Sequence, residues 1–147
     1  MSKQYDLAII GGGAAGFFAA CQLLEKNPKA RIVILERGKD VLQKVKISGG
    51  GRCNVTHAFG EPKELAKNYP RGQKELLGPF HKFCSGDMAY WLEQKGVETK
   101  IEDDGRMFPI TDSSQTIVDV LYKNSMTKGV ELITSCNITD LKLKKDF

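Results

Sequence analysis

The 147-residue sequence lacks any long hydrophobic run. Its apolar stretches fall well short of the roughly 20 residues that a membrane-spanning helix requires. The stretch that precedes the first glycines is also too short for the hydrophobic region of a signal peptide. We therefore expect a soluble, cytoplasmic protein without a membrane partner.

Closely spaced cysteine pairs are absent as well. The four cysteines are scattered along the chain, and none forms a C-x-x-C motif. A chain of this length can bury a sufficient core without disulfides. We expect the cysteines to be reduced, and we expect no metal site.

Positive charge is not concentrated anywhere except in the tail KLKKDF. The formal net charge is +4, from 22 basic and 18 acidic residues. A nucleic-acid-binding surface would combine a basic stripe with interleaved aromatic side chains, and the sequence shows no such pattern. We therefore expect no nucleic-acid partner.

A glycine-rich turn follows the first predicted strand. The apolar segment YDLAII ends at Gly11, and the next residues fit G-x-G-x-x-G at Gly11, Gly13 and Gly16. RIVILE predicts a second buried strand, which ends in Glu36 about 20 residues after Gly16. Apolar residues at helical spacing predict a helix between the two strands; they are Phe17, Ala20, Cys21 and Leu24.

Each part of this strand–turn–helix–strand unit suits a dinucleotide. Gly11 permits the tight turn, Gly13 lets the backbone approach a pyrophosphate, and Gly16 lets the helix pack closely on the strand. The helix N-terminus offers N–H groups and a partial positive charge to the phosphates. Glu36 is expected to accept hydrogen bonds from an adenosine ribose. The alternative is a structural glycine turn that binds no ligand.

The unit alone does not choose between FAD and NAD. The Glu36 carboxylate disfavours the 2′-phosphate of NADP by charge repulsion, whereas Arg37 beside it partly restores that option. Both nucleotides therefore remain open at this point.

A second glycine cluster, KISGGGRCNVTH, follows a short predicted helix over 41–46. Its three bare glycines can present N–H groups to an anion or lie flat against a planar ring. Arg52 could neutralise a diphosphate, and Ser48 and Asn54 could hydrogen-bond ribityl or ring heteroatoms. Two glycine-rich elements suggest a ligand too long for one of them, such as FAD. The alternative is a flexible surface loop.

This cluster, together with DDGRMFPITDSSQTIVDVL at 103–121, resembles the BaiN/YhiN-like flavoproteins, the aminoacetone-oxidase-type FAD-binding family. The resemblance spans essentially the whole chain. It implies an α/β fold, a Rossmann-like FAD/NAD(P)-binding domain over 1–147 with a central parallel sheet, β-hairpin or meander additions and a helical insertion near 60–96. It also implies an FAD-dependent oxidoreductase that transfers hydride through flavin N5 and acts on a small-molecule substrate. NAD(P)H is a candidate electron donor that the sequence does not identify.

The resemblance implies a set of cofactor contacts and no identifiable catalytic side chain. The diphosphate contacts come from the first turn, the ribose contact from the end of the second strand, and the flavin-side contacts from the second cluster and the residues before it. One late residue, expected on a strand, matches a backbone contact to adenine. The implied residues are Gly11, Gly13, Ala14, Ala15, Gly16, Glu36, Arg37, Gln43, Lys44, Ser48, Gly49, Gly50, Gly51, Arg52, Cys53, Asn54 and Ile138.

Local patterns predict the remaining elements. Short helices are expected around Phe80–Cys84 and over 87–94, and a hairpin is expected to turn at Asp104-Gly105. Asp112, with Gln115 three residues later, resembles a capping box that opens a helix, and Gly129 is expected to end it. VELITSCNI and TDLKLKK are expected to form the last two strands.

Chains of the resembled family are longer than this one. We therefore expect 1–147 to be an N-terminal part that lacks the segments completing the fold, and to be inactive alone. Two alternatives stay open: an NAD(P)-binding oxidoreductase whose GGGR loop binds a substrate carboxylate, and a non-catalytic nucleotide-binding module. The oligomeric state and the substrate are not identified by the sequence.

Overall fold

The computed structural model describes residues 3–143, which form two compact units. The first unit comprises the described residues up to Val45 and from Leu121 onward, and the second comprises Lys46–Val120. Within 3–143, no helix is long and apolar enough to cross a membrane.

The first unit is built on a three-stranded parallel sheet of order β1-β2-β6. In the register of the sheet, Leu7 is paired with Ile32, and Val33 is paired with Glu131. A parallel pair needs a crossover connection, and the chain supplies one between β1 and β2 as a helix, α1. The parallel α/β arrangement predicted from the sequence is confirmed. The elements are β1 (Leu7–Ile10), α1 (Ala14–Lys26), β2 (Ile32–Leu35) and β6 (Glu131–Ile133).

Helix α1 buries the stripe that its sequence spacing predicts. The four predicted residues are at most 1% exposed, and they alone are buried within the helix. The helix ends at Asn27, whose backbone N–H donates to the Leu23 carbonyl oxygen at 2.7 Å. Burial of this apolar stripe, which follows the 3.6-residue period of a helix, therefore stabilises α1.

The C-terminal half of helix α6 (Ser114–Met126) packs against α1 within the first unit. Its Tyr122 ring stacks on Phe17 with centroids 6.0 Å apart. Ser125 is fully buried, and its hydroxyl donates to the Leu121 carbonyl oxygen at 3.0 Å, which satisfies a polar group that would otherwise be costly to bury. Gly129, at φ +84°, follows the helix as predicted.

The second unit contains an antiparallel sheet of order β3-β5-β4, three complete helices and the first part of α6. The hairpin turn lies at Asp104-Gly105 as predicted, with Gly105 at φ +82°. Three helices lie within 60–96, and the Trp91 and Leu92 side chains of the last one are buried. The elements are β3 (Thr56–His57), α3 (Pro62–Lys67), α4 (Gln73–Phe80), α5 (Ser85–Gln94), β4 (Thr99–Ile101) and β5 (Arg106–Pro109). A short helix, α2 (Gln43–Ile47), precedes the 3₁₀ turn Ser48–Gly51.

One helix prediction and one cap prediction in this region are wrong, although the helix expected after Asp112 does form as α6. No helix spans Phe80–Cys84, because α4 ends at Phe80 and Cys84 is the residue before α5, where its N–H donates to Asp87 at 2.7 Å. Asp112 does not cap α6. It adopts φ +51° and pairs with lysine and arginine side chains, while the Ser113 hydroxyl accepts the Gln115 N–H at 3.3 Å.

The predicted strands at the end of the chain are shorter or absent. β6 stops at Ile133, because Ser135 adopts φ +53° and the N–H groups of Ser135 and Cys136 donate to the Gly38 and Glu36 carbonyl oxygens. Within 139–143 the second predicted strand does not form, and its two leucines are exposed. The remaining residues of that prediction, 144–145, lie outside the described range.

Candidate functional site

The glycine turn of the first unit joins β1 to α1 without side chains in the way. Gly11 has φ +105°, and its N–H donates to the Leu35 carbonyl oxygen at 2.8 Å. A Cβ at Gly16 would overlap the Gly11 carbonyl oxygen and lie 3.0 Å from the Ile9 side chain. The left-handed turn and the close helix packing both require these two glycines.

Gly13 differs from its neighbours because the chain itself does not require a glycine there. Its backbone is extended, at φ −91° and ψ −174°, which any residue can adopt. A Cβ built on it would have no atom of the described residues within 4 Å. The space above Gly13 is therefore open to an approaching molecule.

Gly13 is also the N-cap of α1, and this helix end carries no compensating side chain. No side chain caps it, and its first turn contains no acidic residue. Ala14 and Ala15, the first two helical residues, are exposed. The backbone N–H groups and the positive end of the helix dipole are thus available to an anion.

Glu36 is oriented by two backbone N–H groups. One carboxylate oxygen accepts from Gly38 at 2.6 Å and the other accepts from Gly12 at 2.7 Å. These bonds, that from Gly38 first, lower the pKa of the carboxyl below its ordinary value, so the group is ionised at neutral pH. Each oxygen keeps a second lone pair for a further donor.

Gly12 is a residue of this site that the sequence analysis did not single out. It is buried, and a Cβ there would lie 2.7 Å from the Val41 side chain and 3.2 Å from the Glu36 Cβ. Its carbonyl oxygen accepts the N–H of Leu42, at 2.8 Å. The sequence shows Gly12 as the middle residue of GGG, but the G-x-G-x-x-G motif allows any residue at that position.

The other predicted residues of the first unit lie at its surface or outside regular structure. Arg37 is exposed, as are Gln43 and Lys44 at the start of α2. Ile138 is half-buried and lies beyond the end of β6, so its expected place on a strand is wrong. Its proposed backbone contact with adenine stays a prediction.

The triple-glycine turn, residues 49–51, adopts three successive left-handed conformations in the second unit. The φ angles of Gly49, Gly50 and Gly51 are +56°, +67° and +87°. A Cβ at Gly49 would lie 2.6 Å from the Asn54 nitrogen, whereas one at Gly50 or Gly51 would meet nothing within 4 Å. The backbone conformation therefore favours glycine at all three positions, and packing also requires it at the first.

Two backbone hydrogen bonds close this turn. The Arg52 N–H donates to the Gly49 carbonyl oxygen at 3.3 Å, and the Cys53 N–H donates to the Ser48 carbonyl oxygen at 3.0 Å. The Asn54 carboxamide lies against the Thr56 and Met107 carbonyl oxygens, in an arrangement where its nitrogen donates to both (2.8 and 3.2 Å). The segment thus forms a turn that backbone and side-chain hydrogen bonds close.

Arg52 does not present a free guanidinium. Its Nη1 donates to Glu102, and Asp112 lies 3.4 Å from the same nitrogen. The guanidinium carbon lies 4.0 Å from the centre of the Phe108 ring. The cation that the sequence suggested for a diphosphate is already paired with two carboxylates of its own unit.

Cys53 is 6% exposed and has φ +61°. Burial raises the pKa of its thiol, against a weaker opposing effect of a hydrogen bond with Ser48. A thiol that stays protonated is a poor nucleophile, which favours a packing role for this residue. Among residues 3–143, no group of three or more His, Cys, Asp or Glu side chains is placed to hold a metal ion.

Comparison with known proteins places this geometry in a family. Residues 5–147 match the family model HI0933-like protein Rossmann domain. The chain is 34% identical over 119 residues to the ribosomal RNA dihydrouridine synthase of Escherichia coli, covering 81% of this chain and 28% of that protein. It is 27% identical over 144 residues to the 3-dehydro-bile acid delta(4,6)-reductase of Clostridium scindens, covering 93% of this chain and 32% of that protein. The chain thus spans about a third of the length of these curated relatives.

Solved structures show the same fold. The open conformation of a flavocytochrome c3 fumarate reductase matches with a TM-score of 0.67 and 19% identity, over 99% of this chain and 29% of that one. The FrdA subunit of E. coli quinol fumarate reductase matches with a TM-score of 0.62 and 18% identity, over 90% of this chain and 26% of that one. The Rossmann-like fold expected from the sequence is confirmed, and the chain belongs to the HI0933-like family of flavoproteins, whose Rossmann domain its residues match.

Proposed function

We propose that the protein binds FAD at the glycine turn after β1 and acts as an FAD-dependent oxidoreductase. One observation carries the proposal: Gly13 is a glycine that neither its backbone conformation nor its protein neighbours require. A diphosphate bound directly over the helix N-terminus explains why this residue is a glycine, because a side chain would occupy the same space.

The residues around the turn fit this cofactor. The N–H groups of Ala14 and Ala15 donate to the diphosphate, and the N-terminus of α1 stabilises its negative charge. Glu36, held ionised by Gly38 and Gly12, accepts hydrogen bonds from the hydroxyl groups of the adenosine ribose on its remaining lone pairs. When bound, FAD supplies hydride transfer, and the protein supplies binding, orientation and electrostatics.

We propose that the flavin-side contacts implied by the resemblance come from the triple-glycine turn and the residues just before it. In this proposal the backbone N–H groups of the triple-glycine turn, whose residues are exposed, and the Ser48 hydroxyl face polar atoms of the cofactor. Gln43 and Lys44 precede this turn in the chain and belong to the same proposed contact set. Cys53 and Asn54 support the turn through burial and hydrogen bonds rather than through chemistry.

The proposed reaction is reduction of a small organic substrate, with NAD(P)H as the electron donor. The reductive direction is supported by two relatives whose names describe a reduced product or a reduction, a dihydrouridine synthase and a delta(4,6)-reductase. Because the chain spans about a third of their length, we propose that 1–147 alone does not turn over substrate. We propose a cytoplasmic location, which is supported by four cysteines that form no disulfide.

RNA is a second candidate substrate, favoured by one observation. The relative with 34% identity is named as acting on ribosomal RNA. A natural-length protein that uses RNA should bind it with an affinity that falls steeply as salt is raised. Tight, salt-dependent RNA binding would favour this candidate, and its absence would favour the small-molecule substrate.

The cofactor proposal is tested on protein purified at its natural length. We expect a yellow protein with flavin absorption bands, and mass spectrometry of the ligand released by denaturation should show FAD. Colourless protein that binds NADH but does not bind added FAD would refute the proposal and favour a nicotinamide enzyme.

A further inference from the structure

We infer that Glu102 is a positioning residue that acts through Arg52 to hold the triple-glycine turn in its left-handed conformation. The residue lies next to β4 of the hairpin, 50 positions from Arg52 in sequence. The inference rests on the proposed function only in so far as this turn contacts the cofactor.

The contact between the two side chains is bidentate. Arg52 Nη1 donates to one Glu102 oxygen, and Nη2 lies 3.4 Å from the other. Both side chains are about one-third exposed, at 34% for Arg52 and 28% for Glu102. The planar guanidinium also stacks on Phe108, which fixes its orientation in a way that a lysine could not reproduce.

The turn needs such an anchor because its own residues pack very little. Gly50 and Gly51 are exposed and contribute no side chain. Three glycines in a row also have much conformational entropy to lose when the turn forms. Arg52 follows the turn directly, so its side chain ties the end of the turn to the hairpin, and a Cβ at Gly49 would lie 3.0 Å from the same Phe108 ring.

The charges around Arg52 argue against a phosphate-binding role for it. Asp112 accepts from Arg52 and also pairs with Lys100, and Glu102 lies 3.6 Å from Arg106. A phosphate at the guanidinium would have to displace two carboxylates that already neutralise it. Holding the turn is the role that these contacts support.

The first test is hydrogen exchange in the protein without FAD. The reporters are the Arg52 and Cys53 amide hydrogens, which close the turn. We expect Glu102→Gln to speed their exchange about tenfold, as loss of one charge-assisted hydrogen bond allows. Asp103→Asn removes the same charge one residue later, at an exposed side chain, and should leave the two rates unchanged. Unchanged rates in Glu102→Gln would overturn the inference.

A double variant separates positioning from general loss of structure. Arg52→Lys and Glu102→Gln should each speed exchange at Cys53, and the double variant should exchange no faster than the faster single variant, because both changes disrupt the same contact. Additive effects of the two changes, in variants whose circular dichroism is native, would overturn the inference. If Glu102→Gln does not fold, Arg52→Lys replaces it, and faster exchange at Cys53 is again the expected result.

The cofactor then supplies an independent readout. In Glu102→Gln we expect weaker FAD binding and a shifted visible spectrum of the bound flavin, and in Asp103→Asn neither change. If the wild-type protein fails to bind FAD, the proposed function fails, while the exchange data still decide the role of Glu102. If FAD binds to Glu102→Gln with unchanged affinity and spectrum, this residue does not position the cofactor contact.

Discussion

Replacing Gly13 by valine should separate cofactor binding from protein stability. The position is extended at φ −91°, which suits a β-branched residue, and the space around an added Cβ is open. The loss of a glycine N-cap and the lower entropy of the unfolded chain act in opposite directions. We therefore expect the free energy of unfolding to change by less than about 1 kcal/mol, which corresponds to about 4 °C in Tm.

The effect on FAD should be much larger. The valine side chain would occupy the space in which we place the diphosphate and would prevent at least one hydrogen bond to a charged oxygen. Such a bond contributes about 1.5–3 kcal/mol, so the Kd should rise about 10- to 150-fold. Fluorescence titration of the natural-length apoprotein with FAD measures the affinity, and thermal denaturation without FAD measures the stability.

Gly16→Ala is the matched comparison, since it adds a single methyl group three residues away. Its Cβ would overlap the Gly11 carbonyl oxygen, so the apoprotein itself should lose about 1–3 kcal/mol of stability. FAD affinity that is unchanged in Gly13→Val would mean that the diphosphate does not lie over this turn. A large loss of apoprotein stability in Gly13→Val would mean that the space around Gly13 is not open.

Three further outcomes follow from the two glycine segments. Glu36→Gln should destabilise the protein by about 1 kcal/mol at pH 7. Because the pKa of Glu36 is lowered in the folded state, this difference in stability should shrink as the pH falls below about 4.3. Denaturant titration from pH 7 to pH 3 measures the change. Gly49→Ala should cost about 1–3 kcal/mol in chemical denaturation, because its Cβ would lie 2.6 Å from the Asn54 nitrogen in a left-handed residue, whereas the same change at the next glycine should cost less. Cys53 should be alkylated more slowly than Cys84 near pH 8, since burial raises the pKa of the Cys53 thiol; equal rates by mass spectrometry would contradict this.

Sequence patterns predicted the parts of the fold that local physical chemistry determines. The helical spacing of the α1 stripe requires one buried face, and the structure buries those four residues. Asp104-Gly105 predicted the hairpin because Gly105 supplies the positive φ that the turn needs. The acid at the end of β2 was predicted as well, since an N–H-rich glycine turn and a strand end meet at the same edge of a parallel sheet.

Three of the errors came from long-range contacts that no local pattern contains. Asp112 has the spacing of a helix cap, but Lys100 and Arg52 hold its carboxylate elsewhere. The pairing of Arg52 with Glu102 spans 50 residues, so the sequence suggested a free cation where the structure has an ion pair. β6 ends early because Ser135 turns the chain toward the loop after β2.

Strand β1 is bonded to β2 along one side, and among residues 3–143 no strand lies on its other side. Its Ile10 is 56% exposed, although the segment is apolar on both faces. Such an edge offers unsatisfied main-chain groups to any extended peptide and promotes self-association. A sample of residues 3–143 alone should therefore become turbid at protein concentrations where a sample whose β1 edge is covered by another strand stays clear.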